Sequence, residues 1–209
     1  MRLSILSTAC ALCFALPATA QEGSVKNPDT KEATAPKKWQ GMAFAGAQAT
    51  TTLAMFTPDF SAGAMASVSH GQPEWRDGND ALIAKAKGTT QRLGSGAWTS
   101  LTTTSELELG GTKIPAGSYV VAISIGKDDS FALALTDSGK AMKNGLMPGG
   151  PQNWKPEYTV PLTKGVGSEV VTKMTMTFDA DPKVPGKGNF TIAWGKHTLT
   201  APATLSAPK

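Results

Sequence analysis

Along most of this chain the hydrophobic positions recur with period two. Tyr119, Val121, Ile123 and Ile125 alternate with Ser118, Val120, Ala122 and Ser124, which sets the first group on one face of a strand. Phe131, Leu133 and Leu135 repeat the pattern against Ala132 and Ala134. Tyr158, Val160 and Leu162 form the next run, and Pro161 inside it predicts an edge position, because proline cannot donate to a ladder. Val170, Thr172, Met174, Met176 and Phe178 share one face, as do Phe190, Ile192 and Trp194. Gly195-Lys196 reads as a turn leading to a further segment from His197 to Ala201. Tyr119, Val121, Ile123, Met174, Met176, Phe190, Ile192 and Trp194 are therefore expected to meet in one core.

Upstream, Thr51 to Phe56 predicts a strand that stops before Pro58, and Ala64 to His70 one that closes at Gly71-Gln72-Pro73. The run from Trp98 to Thr103 is β-branched and aromatic, the composition of a pleated surface. Gly110-Gly111 and Pro115-Ala116-Gly117 then mark two tight turns, glycine permitting positive φ and proline fixing it. One segment breaks the alternation. Asp80 to Gly88 predicts a short helix, capped by Asp80 or Asn79 and stopped by Gly88. Met142 to Trp154 is rich in glycine and proline and predicts a long loop. Short strands divided by turn signals every roughly 8–12 residues point to an all-β fold. The expected architecture is an antiparallel β-sandwich, or a partly open barrel, with one short helix. No fixed-period repeat suggests a propeller or solenoid.

The amino end does not share this pattern. Arg2, the apolar run from Leu3 to Leu16 and Ala18-Thr19-Ala20 predict a signal peptide over residues 1–20, with Gln21 as the mature start. Ser4, Ser7, Thr8 and Pro17 interrupt the run, so it is too short for a spanning helix, and no integral membrane segment is expected after cleavage. Residues 21–40 are polar and charged and predict a disordered tether. Residues 41–209 then form a single domain. Both cysteines of the chain, Cys10 and Cys13, lie in the signal. The mature chain is accordingly cysteine-free, and a packed core rather than disulfides must hold it. Export to the periplasm or the extracellular space follows.

Charge narrows the partners only a little. The formal net charge is +4, part of it carried by Arg2 and the lysines of the tether, and no basic cluster of the kind nucleic-acid binding needs is present. The expected partners are an unknown small ligand, a glycan or an envelope protein, with no nucleic acid and no cofactor.

The stretch from Arg92 to Tyr119 resembles the bacterial domain of unknown function 2911. The resemblance rests on Arg92 and Gly94, Trp98-Thr99, Gly110-Gly111 and the segment from Lys113 to Tyr119. The block from His70 to Trp75 and Ile192-Ala193-Trp194-Gly195 also fit that layout, so it spans about residues 64–203. It implies an exported, mostly β domain with no assigned activity. Commoner members carry an asparagine and an acid soon after Arg-x-Gly, where this chain has Gly96 and Ala97.

No motif names a ligand or a reaction. His70, close to Glu74 and Asp77, suggests a metal or acid–base site, but no second histidine stands at ligand spacing, and a histidine ending a strand more often bonds to a turn. His197 is expected in an exposed hairpin turn. Ser95 lacks the spacing of a nucleophile elbow, and Asp128-Asp129 reads as a solvated hairpin tip. Trp98 and Trp194 fit core positions, whereas Trp75 and Trp154 sit in loops where binding residues concentrate. The candidate binding set is His70, Gln72, Glu74, Trp75, Asp77, Arg92 and Trp154. Two functions compete for it: a non-catalytic binding module of the cell envelope, and a hydrolase or metal-dependent enzyme built on His70, Glu74, Asp77 and Arg92. In either case Arg92 is expected to pair with Glu74 or Asp77.

Overall fold

The computed structural model describes residues 48–146 and 155–208. The expected signal peptide, the tether and Trp154 lie outside the described residues. Alternation produces strands where it was expected. β1 (Gln48–Phe56) and β2 (Gly63–Gly71) form a hairpin in which Gln48 opposes Gly71 and Phe56 opposes Gly63. Helix α1 (Asn79–Lys85) follows, then β3 (Thr89–Arg92) and β4 (Thr99–Thr103). β5 (Leu107–Leu109) and β6 (Thr112–Ile114) pair across Gly110-Gly111. Both glycines have positive φ, 56° and 79°, as the tightest hairpin turns require.

β7 (Gly117–Ile125) and β8 (Phe131–Asp137) form the next hairpin. Helix α2 (Ser138–Lys143) leads toward β9 (Tyr158–Ala180), which pairs with β10 (Lys187–Leu205). The strand order is β1-β2-β4-β7-β8-β9-β10-β5-β6, with β3 also paired to β7. The fold is mostly antiparallel β-sheet that does not close on itself, a sandwich or partly open barrel. Among the described residues no helix is long and apolar enough to cross a membrane.

The inward faces of both layers meet in one core. Tyr119 and Val121 of β7, Met174 and Met176 of β9, and Phe190 and Ile192 of β10 are all buried there. Ile123 and Trp194 are half-buried against the same cluster. Where β6 crosses to β7, the Tyr119 hydroxyl donates to the Pro115 carbonyl at 2.9 Å, tying the turn to the strand that follows it. Its ring meets Tyr158 edge-on at 5.7 Å.

Four local expectations need correction. The runs around Tyr158 and Met174 belong to one strand, β9, and Val166 and Val170 between them are exposed. Gly195-Lys196 is no turn: β10 runs straight through, with register shifts on both sides of Gly195. A β-bulge has the same glycine signature as a turn, because both need positive φ, here 61°. β3 adds a strand that the alternation does not signal, because Thr89 to Arg92 is short and polar. α2 is a further addition and takes Met142 into a helix whose N-cap Asp137 accepts from the Lys140 amide at 3.0 Å. The fold thus has two short helices rather than one. Pro161 opposes Ala132 of β8, while pairing with β10 starts at Thr163, so the proline occupies a stretch laddered on that side alone.

Candidate functional site

A single interruption shapes one end of the sandwich. β3 and β4 lie end to end along the same side of β7, Arg92 opposite Ala122 and Thr99 opposite Val121. The residues between them, Leu93 to Trp98, are looped out, with Gly94 and Gly96 at φ of 80° and 69°. The Thr99 hydroxyl donates to the Leu93 carbonyl at 2.7 Å and pins the loop. Any side chain at Gly94 would collide with Thr99 and with the main chain of Gly71. The glycines of this stretch therefore dock a bulge onto the end of β2.

Beside this loop, α1 and the strands β7, β9 and β10 enclose a cleft. The resulting cleft has a volume of about 220 Å³. Ile123 and Ile125 of β7 form one wall; Met174 of β9 with Ile192, Trp194 and Leu199 of β10 forms the other. Leu82, Ile83 and Ala86 supply the roof from α1, and Leu93 closes the inner end. The polar lining consists of Gln91, Arg92 and His197. No carboxylate lines the cleft among the described residues. A concave, mostly apolar cavity with a few convergent polar groups is the usual form of a small-ligand site.

The roof is held at its ends. Gly78 and Gly88 flank α1 with φ of 91° and 76°, and the Gly88 amide donates to Ile125 at 2.7 Å. Near the first turn the Asp80 carboxylate sits 2.7 Å from Nε2 of His197. That contact corrects the expectation for His197. It lies within β10, its side chain is 27% exposed, and its ring packs 5.6 Å from Trp75.

The block from His70 to Asp77 is mostly structural in its contacts. His70 lies on the inward face of β2 with Ala64, Ala66 and Val68 and is fully buried. Its Nδ1 sits 3.2 Å from the Gly71 carbonyl, and its Nε2 has no hydrogen-bond partner. Burial pushes its pKa below the usual 6.5, with the Gly71 contact opposing in part. Residues 73–75 add a short extra rung to β9. The Trp75 amide donates to Thr172, the Met174 amide donates to Pro73 at 3.0 Å, and Glu74 bridges to Lys173. Gln72 adds a long contact, 3.4 Å, to the Met174 carbonyl. These bonds cover backbone that an open strand edge would leave unpaired.

Trp75 seals the same corner. It meets Trp194 edge-on at 4.9 Å, and the Trp194 indole donates to Pro73 at 2.9 Å. A methyl group at Gly195 would stand 2.5 Å from the Trp75 ring, so the bulge in β10 is the seat of that indole. Glu74 and Asp77 are exposed. Arg92 pairs with neither; its guanidinium donates to the Gly96 carbonyl at 3.4 Å. The expected pairing fails because Glu74 is drawn to the edge of β9, while Arg92, opposite Ala122, shares the face of β7 that turns away from Ile123 and Ile125.

Of the candidate set, Arg92 alone lines the cleft. Trp75 supports it from behind through Trp194 and His197, and His70, Gln72, Glu74 and Asp77 stand apart from it. The cleft walls were legible only as core positions, because an apolar cavity and a filled core have the same period-two signature. Among the described residues no cluster of three or more potential metal ligands occurs. No family model matches the chain, and neither the curated proteins nor the solved structures compared with it give a match.

Proposed function

We propose that this chain is an exported, non-catalytic β-domain that binds a small ligand in the cleft beneath α1. The observation that carries the reading is the cleft itself: ten of its thirteen lining residues are apolar, in a domain whose remaining interior is packed. The enzyme reading draws less support. Its four residues do not converge, with His70 buried in the core, Glu74 at a strand edge, Asp77 exposed and Arg92 at the cleft. A glycan reading needs an aromatic face open to solvent, whereas the Trp75 ring lies against Gly195 and Trp194. The resemblance to the domain of unknown function 2911 is consistent with this proposal but contributes no ligand.

A small neutral fluorophore, 1-aminoanthracene, tests the site. Its emission should rise on mixing with the parent protein. Ala86→Phe, which fills the cleft from the roof, should abolish the rise at unchanged melting temperature. A parent that leaves the fluorophore dark overturns the proposal, as does an Ala86→Phe protein that binds it as well as the parent.

A further inference from the structure

We infer that the ligand of this cleft is a small neutral hydrocarbon bearing a hydroxyl group, and that His197 is the residue that meets the hydroxyl; the inference rests on the binding reading above. The lining is apolar except for Gln91, Arg92 and His197. Arg92 opposes Ala122 and so shares the face of β7 that turns away from Ile123 and Ile125. The Gln91 amide donates to the Thr89 hydroxyl at 2.8 Å, along its own strand. That leaves His197 as the polar group for a ligand.

Two observations bring its ring to the cleft. On β10, Phe190, Ile192 and Trp194 turn inward from even positions, whereas Leu199, Ala201 and Ala203 do so from odd ones. The bulge at Gly195 makes the exchange by one extra residue and sets His197 in line with Ile192, Trp194 and Leu199. Regular pairing through Gly195 would have turned the imidazole to the outer face. The ring also reaches the roof, with Nε2 at 2.7 Å from the Asp80 carboxylate of α1. A carboxylate accepts, so Nε2 carries the hydrogen of that contact and Asp80 fixes the ring's orientation. Among the described residues Nδ1 makes no hydrogen bond.

The chemistry of that nitrogen selects the ligand. Nδ1 accepts in a neutral imidazole and donates in an imidazolium. A hydroxyl answers either form, because it both donates and accepts; an ether oxygen cannot donate. A carboxylate head would bring a second negative charge close to Asp80, and an ammonium would give up its hydration to apolar walls.

Displacement of bound 1-aminoanthracene by 1-octanol, by its isomer heptyl methyl ether and by octanoate tests the inference. Octanol should displace the fluorophore at a concentration roughly fivefold lower than the ether, the scale of one neutral hydrogen bond, and lower also than octanoate. His197→Phe, which keeps a ring against Trp75 but has no nitrogen, should bring octanol and the ether together. The imidazole nitrogen resonances of the parent read the same contact without a substitution. Octanol should shift Nδ1 of His197 and the ether should not, while His70, the other histidine of the chain, stays unmoved. If His197→Phe does not fold, these resonances decide. Equal displacement by alcohol and ether, a preference that survives His197→Phe, an unshifted Nδ1, or octanoate as effective as octanol overturns the assignment and leaves the cleft standing. Fluorophore that binds but yields to none of the three also overturns it. A parent that never binds the fluorophore removes the cleft reading instead.

Discussion

A buried histidine with one ring nitrogen unsatisfied ties stability to pH. His70 has its ordinary value near 6.5 in the unfolded chain, and burial lowers it in the folded one. Below pH 6.5 the unfolded chain therefore takes up a proton that the native chain refuses. Stability is at its full value above that pH and declines as pH falls from 6.5 toward the lowered native value. Melting temperature measured between pH 7 and 5 should drop with acidification in the parent. His70→Leu should flatten that slope. A variant with the parent's slope would place the titrating group elsewhere. The sequence offered His70 as a ligand or a turn residue, and neither description anticipated a neutral side chain inside the core. Alternation on β2 contained the signal, since His70 shares parity with Ala64, Ala66 and Val68.

At the scale of elements, two irregularities matter more than the regular strands. The looped-out residues between β3 and β4 pack against the end of β2, and the bulge at Gly195 makes room for Trp75. The second can be tested directly. Gly195→Ala introduces a methyl group at φ 61° and 2.5 Å from the indole. It should destabilise the domain by more than about 1 kcal/mol, beyond the usual gain from removing a glycine's freedom. The near-ultraviolet dichroism of the Trp75–Trp194 pair should change with it. An unaltered spectrum at parental stability would mean that Trp75 is not seated on the bulge. Helix α1, in contrast, is short and lightly anchored, with Leu82 63% exposed. Its identity as a helix was readable, but neither Asn79 nor Asp80 caps it: the N-cap is Gly78, without a side-chain hydrogen bond, and its place as a roof depends on strands far along the chain.

For the whole molecule, the layers are joined by β9, which pairs with β8 through its first residues and with β10 along most of its length. One free edge of that strand is covered by residues 73–75 and by Thr51, whose hydroxyl accepts from the Phe178 amide at 2.9 Å. Sealing an edge in this way removes a row of backbone groups that another chain could pair with. Mass spectrometry of protein recovered from outside the cytoplasm should give a mature chain beginning at Gln21. A mass that retains residues 1–20, or that carries lipid on Cys10, would overturn the export reading in that form.

By itself the sequence determined which faces of the strands turn inward, where the Gly110-Gly111 hairpin falls, and that one helix begins near Asn79. These are local consequences of period and backbone freedom, and they do not depend on what packs opposite. Tertiary structure decided the rest. Whether Gly195 turns or bulges depends on Trp75 lying across it, and whether the β9 runs are one strand or two depends on a continuous partner. The contact of Asp80 with His197 joins residues 117 positions apart. The cleft exists because α1, β7, β9 and β10 bring apolar side chains around one space, and the alternation of any one strand carries no trace of that meeting.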